Sequence, residues 1–163
     1  MDQEFVEILV FEVAGQRHAL PAVQVQELLP AQSVMPVPGI ATAVEGVINL
    51  RGLIVPVLDI RKCFGLPARA LALSDHFIVI RAENRVLALH VDRALDLVRL
   101  DADSLTALDS LGAGKQGTPQ VVKLGDGLVL LHHADDLVSA VDSRVWIGSS
   151  TATESIPREA QPS

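Results

Sequence analysis

Residues 46 to 67 read GVINLRGLIVPVLDIRKCFGLP, a mostly apolar run that keeps Asn49, Arg51, Pro56, Asp59 and Arg61 at fixed interior places. Read as extended chain, it turns Ile48 and Leu50 one way and Val47, Asn49 and Arg51 the other. Arg51-Gly52 then lies between VINL and LIVPVLD as the corner of a hairpin. Pro56 has no N–H to donate, so LIVPVL is expected to be an edge strand, or bulged at that point. An apolar edge calls for cover by another element or by a partner. Arg51 at the corner is either half of a structural ion pair or an exposed binding residue. Asp59 is placed to cap a short helix, IRKCF, that Gly65 ends.

Outward from this segment, strand and turn signals dominate. FVEILVFEV, AGQ and RHAL (from residue 5) form one predicted hairpin. HFIVIR, AEN and RVLALHV (from 76) form a second, and PQVVKL, GDG and LVLLH (from 119) a third. Helical signals are short: AVQVQELL after Pro21, DADSLTALDSL, and ADDLVSAV with two acids in its first turn. The fold class is therefore all-β, or mainly β with short helices. A faint repeat relates ALPAVQVQEL (19–28) to ALHVDRALDL (88–97), a hint of two related subdomains. The expected domain runs over 1–142. The polar stretch 143–163 is expected to be a disordered tail, with Trp146 and Ile147 able to pack back onto the body.

Composition limits the function classes. Of 163 residues 49% are apolar and only 3% aromatic, so the core is aliphatic. The net charge of −7 opposes nucleic acid binding, and no basic cluster with interleaved aromatics overturns that. No apolar run approaches the roughly 18 residues of a spanning helix, and MDQEFVEILV has no signal-peptide pattern. With Cys63 as the single cysteine, a cytoplasmic protein without direct membrane insertion is expected.

Chemical sites are weak. GAGKQG (112–117) matches the glycine spacing of a dinucleotide loop but has a helical pattern before it and TPQVV after it, the reverse of the required context. His132 and His133 in HHADD invite a metal-dependent enzyme, yet adjacent strand residues point to opposite faces and a third ligand is not evident. Cys63 has no base beside it in sequence. No catalytic set, cofactor or metal is expected.

The opening segment closely resembles the signature of the CheW family, the coupling proteins of bacterial chemotaxis, and the likeness extends over residues 5 to 140. FEVAGQRHALPAVQVQELLP resembles the family's first hairpin and following helix, RVLALHVDRALDLV its second-half strand, and GLVLLHHADDLVS its last strand and helix. The resemblance implies two intertwined five-stranded SH3-like β-barrels with a hydrophobic core between them. It implies a non-catalytic adaptor joining the regulatory domain of a CheA-type histidine kinase to the cytoplasmic tip of methyl-accepting chemotaxis receptors, in arrays at the inner membrane. A variant of this expectation places the adaptor in a non-flagellar pathway of surface or pilus motility. By the same resemblance Glu27, in the VQE helix, pairs with Arg51 as a partly buried brace, and Val25, Gly46, Asn49 and Gly52 lie at receptor and kinase surfaces. Three residues depart from the family pattern: Ala88 replaces a frequent glycine, His90 an aliphatic residue, and His133 an aspartate.

Overall fold

A computed structural model describes residues 5–39, 43–82, 84–101, 120–125 and 127–139. Ten strands are present among them: β1 (Phe5–Val13), β2 (Gln16–Pro21), β3 (Val25–Pro30), β4 (Val44–Leu50), β5 (Leu53–Asp59), β6 (His76–Ala82), β7 (Arg85–Val91), β8 (Arg93–Asp101), β9 (Gln120–Leu124) and β10 (Gly127–Leu131). Two short helices follow β5 and β10, α1 (Ile60–Cys63) and α2 (Ala134–Ser139).

The strands form two five-stranded sheets, ordered β8-β1-β2-β10-β9 and β3-β6-β7-β5-β4. Adding five to each strand number of the first half of the chain reproduces the second half. Each half keeps its first hairpin in one sheet and sends its next three strands into the other. The repeated segments 19–28 and 88–97 mark the two crossings, where β2 leads to β3 and β7 leads to β8. That exchange is the intertwining, and it makes the pairings β1·β8, β2·β10, β3·β6 and β5·β7 long-range.

Three apolar clusters follow from it. Ile8, Val10, Ala19, Val122, Val129 and Leu131 fill the first barrel, and Ile48, Val55, Val57, Phe77, Val79 and Ala88 fill the second. The opposite faces of β1, β6 and β7 supply Leu9, Phe11, Ile78, Ile80, Leu87 and Leu89 to a third core between the barrels, joined by Ile60 of α1 and Leu137 and Val138 of α2. Strands buried on both faces read as continuous apolar runs, which is why LVF and FIVI lack alternation. Each such side chain contributes about 1.5–3 kcal/mol when fully buried.

All four expected hairpins are present, and Asp59 caps α1 by accepting from the backbone N–H groups of Arg61 and Lys62. Two expectations fail. Beyond a single 3-10 turn at Ala22–Gln24, the segment after Pro21 is strand β3 and not a helix. Its Val25, Glu27 and Leu29 turn toward one side and Gln26, Leu28 and Pro30 toward solvent, a period of two that wins once β6 offers a ladder. Nor is the Pro56 strand an edge: β5 lies between β4 and β7. Pro56 is tolerated because pairing with β7 begins only at Val57; on its other side it pairs in register with Val47, and the β4 bulge between Val44 and Gly46 falls opposite Val57 and Leu58. The edge on that side of the sheet is β4, and Met35 covers part of it through reciprocal backbone bonds with Val47, both 2.9 Å. DADSLTALDSL, GAGKQG and the 143–163 tail lie outside the described residues.

Candidate functional site

The β4–β5 corner is a two-residue turn with positive φ at both positions, Arg51 at 51° and Gly52 at 89°, as the right-handed twist of a tight hairpin requires. The Asn49 Oδ1 accepts from the Gly52 backbone N–H at 2.7 Å and fixes the turn. From this corner the Arg51 guanidinium forks onto the Glu27 carboxylate of β3: Nη1 donates to Oε2 at 3.1 Å and Nη2 donates to Oε1. The hydrogen bonds from Arg51 hold the Glu27 carboxyl below its usual value.

The pair departs from expectation in setting. It joins strand to hairpin, not helix to hairpin, and it is not buried: the Arg51 side chain is 67% exposed and that of Glu27 24%. Solvent screens such a pair. Leu28, Leu53 and Ile54 are exposed on the same strands.

The other candidates differ among themselves. Asn49 and Gly52 are exposed. Val25 is half-buried and packs against the core between the barrels. Gly46 is buried at the β4 bulge with φ 156°, and a Cβ there would stand 2.1 Å from the Met35 carbonyl oxygen. Gly46 therefore shapes the strand and has no surface to offer.

The histidines of HHADD separate. His132 points inward, its Nε2 3.0 Å from Nδ1 of buried His18, and both rings stack on Phe64. Burial lowers His18 to about 4; burial first, then the neighbouring His18 and His133, lower His132 to about 3. Both rings are neutral at pH 7. His133 precedes α2, whose first N–H, of Ala134, is donated to Gln24 Oε1 at 2.6 Å. Among the described residues no three His, Cys, Asp or Glu side chains converge as metal ligands. Burial and then the Asp59 charge push the Cys63 thiol up to about 11, too high for a nucleophile at neutral pH.

Sequence spacing gave no sign of a polar network around His90. Its Nδ1 lies 2.5 Å from Glu45 Oε2 and its Nε2 2.7 Å from Asp75 Oδ2. Asp75 also accepts from Arg69 Nη2 at 2.8 Å and from the Ala72 N–H at 2.9 Å. Arg69 continues to Asp92, which binds Arg61 as well, each at 2.7 Å. Asp92 sits where β7 crosses to β8, and its carboxylate also accepts from the Ala14 N–H at 2.9 Å. The network thus ties the two barrels at the crossing. Its one visible signal is the departure of His90 from an aliphatic residue.

The comparisons with known proteins agree with this architecture. Residues 7–142 match the CheW-like domain. The chain is 24% identical to the chemotaxis protein CheW of Bacillus subtilis over 153 residues, covering 94% of each chain. It is 28% identical to that of Thermotoga maritima over 138 residues, 83% of this chain and 89% of the relative. The crystal structure of the scaffolding protein TtCheW from Thermoanaerobacter tengcongensis superposes with a TM-score of 0.70 at 25% identity, covering 78% of this chain and 88% of that one. With exchanged five-stranded sheets, a matched domain over most of its length and no catalytic role in that family, the chain belongs to the CheW-like family of chemotaxis scaffold proteins.

Proposed function

We propose that the chain couples methyl-accepting chemoreceptors to a CheA-type histidine kinase, binding the kinase regulatory domain and the receptor's cytoplasmic tip at the cytoplasmic face of the membrane. The observation that carries this reading is the β4–β5 corner. It presents Asn49, Gly52, Leu53 and Ile54 to solvent on a turn fixed by two hydrogen-bonding devices, the Asn49 cap and the Arg51–Glu27 fork. A rigid, exposed corner with aliphatic flanks suits recognition of a protein partner better than chemistry on a small molecule. In this reading Asn49 and Gly52 contact the partner, Gly46 and Val25 set strand position, and Glu27 holds Arg51 in place.

The test is a titration of the full chain against a CheA-type regulatory domain and, separately, a receptor-tip fragment. Saturable binding of both, weakened by Asn49→Ala, is expected. Absence of binding to either would refute the coupling role.

A further inference from the structure

We propose that His90 is held as an imidazolium between Glu45 and Asp75 and works as a proton-operated latch, closing the β4 bulge onto β7 when charged and releasing it when neutral.

A neutral imidazole has one N–H and one bare lone pair; only the cation donates from both nitrogens. Both ring nitrogens of His90 face carboxylate oxygens, at 2.5 and 2.7 Å. A neutral ring would set a lone pair against a carboxylate in a site with little water, since the His90 side chain is 10% exposed and that of Asp75 is 1%. Asp75 is committed as an anion by Arg69 and by the Ala72 N–H. With the ring charged, the connected set balances: Arg61, Arg69 and His90 against Glu45, Asp75 and Asp92.

Other titratable groups nearby are engaged elsewhere. On β6, His76 accepts the Ala94 N–H. On β5, Asp59 lies in register with His90 but caps α1. Lys62 of α1 has a partner of its own, and on β1 Glu12 pairs with Arg93. Burial alone would depress His90, but the hydrogen bonds and charges of Glu45 and Asp75 outweigh it and hold the ring above the ordinary 6.5. A raised value makes the latch's contribution complete below 6.5 and removes it as pH rises through the folded value.

The moving part is defined. Glu45 is the residue skipped by the register shift between Val44 and Gly46, so it has no ladder partner in β5 and is tied to β7 through His90. Release of Glu45 loosens the edge strand that leads to Asn49 and the Arg51–Gly52 corner. That last consequence rests on the docking function proposed above; the latch itself does not.

The experiment is imidazole ¹⁵N–¹H correlation NMR on the free full-length protein, with hydrogen exchange of the β4 amides over the same pH series. Expected are two protonated nitrogens on His90 in most molecules at pH 6.5, a titration midpoint above 6.5, and a step in β4 exchange at that midpoint. Glu45→Gln should lower the midpoint, and His90→Gln should abolish the exchange step. A ring mostly with a single N–H at pH 6.5, a midpoint at or below 6.5, or a step that persists in His90→Gln would overturn the latch. All readouts use the free protein, so a missing kinase or receptor interaction counts against the docking role alone.

Discussion

Acidification from pH 7 toward 4 should weaken the seam between the barrels through His18 and His132 before any carboxylate is involved. The two rings share a hydrogen bond and stack on Phe64, which follows α1 of the other barrel, and His18 stacks on Phe11 as well. Unfolded, each ring titrates near 6.5; folded, burial holds His18 at about 4 and His132 at about 3. Between those values the unfolded chain binds more protons, so stability falls as pH falls. For His18 alone, at about 1.4 kcal/mol per unit, the displacement corresponds to about 3 kcal/mol. His132 adds to this without simple additivity, because one charged ring opposes the other. Against a typical domain stability of about 5–15 kcal/mol, the loss is large. The depressed carboxylates Glu27, Asp75 and Asp92 act in a lower window, since their unfolded values are 4.5 or below.

The repeat supplies the control. Ala19 pairs with Leu131 as Ala88 pairs with Val57, so His18 corresponds to Leu87 and His132 to Leu58, both fully buried. The double variant His18→Leu/His132→Leu therefore installs the solution that the other half already uses. It loses ring stacking worth about 0.5–1.5 kcal/mol per pair, and it removes the His18 Nε2, which has no hydrogen-bond partner among the described residues, a burial that costs about 1–3 kcal/mol. Stability at pH 7 is therefore expected to be at or modestly below the parent's, with a loss from pH 7 to 4.5 much smaller than the parent's. Urea unfolding at pH 7, 6, 5 and 4.5 measures both. A parent curve flat from pH 7 to 5, or an unchanged acid slope in the double variant, would refute the reasoning.

Glu27→Ala and Arg51→Ala should each leave the urea midpoint nearly unchanged, because the pair is solvent-exposed, while weakening partner binding in a salt-dependent way; a strongly destabilised single variant would contradict the surface assignment. Gly46→Ala should cost about 1–3 kcal/mol, since its Cβ would meet the Met35 carbonyl at a φ that side chains avoid; an unchanged midpoint would mean that the bulge relaxes freely. Gln24→Ala removes the side-chain acceptor at the first N–H of α2 and should cost about 1 kcal/mol by the same measurement. Deleting 149–163 should leave the melting temperature within a degree or two on compositional grounds, and a drop of many degrees would show that the segment packs on the body.

The hairpins were legible because each is an apolar run closed by a turn whose residues demand it, as at Gly15 and Gly52. Strands β3 and β8 were not. Each is an edge strand carrying charges, Glu27 in one and Asp96 and Arg99 in the other, and each gains a ladder only from a hairpin in the opposite half of the chain. Nothing local tells AVQVQEL from an amphipathic helix when its partner lies some fifty residues away. The repeat was the available signal, since two copies of one crossing imply exchange between two halves. The site divides in the same manner. Glu27 and Arg51 were found together through the family resemblance, whereas Glu45, Asp75 and His90 come from three separate elements with no spacing to connect them. A histidine at an aliphatic position in an apolar core is nonetheless a statement about its neighbours. An ionisable ring is tolerated there only if acceptors stand ready, as at position 90, or if it stays neutral against aromatic faces, as at 18 and 132. The two solutions oppose each other in sign, so this fold is bounded by histidines on both sides of neutral pH: the seam fails toward acid, and the latch releases toward base.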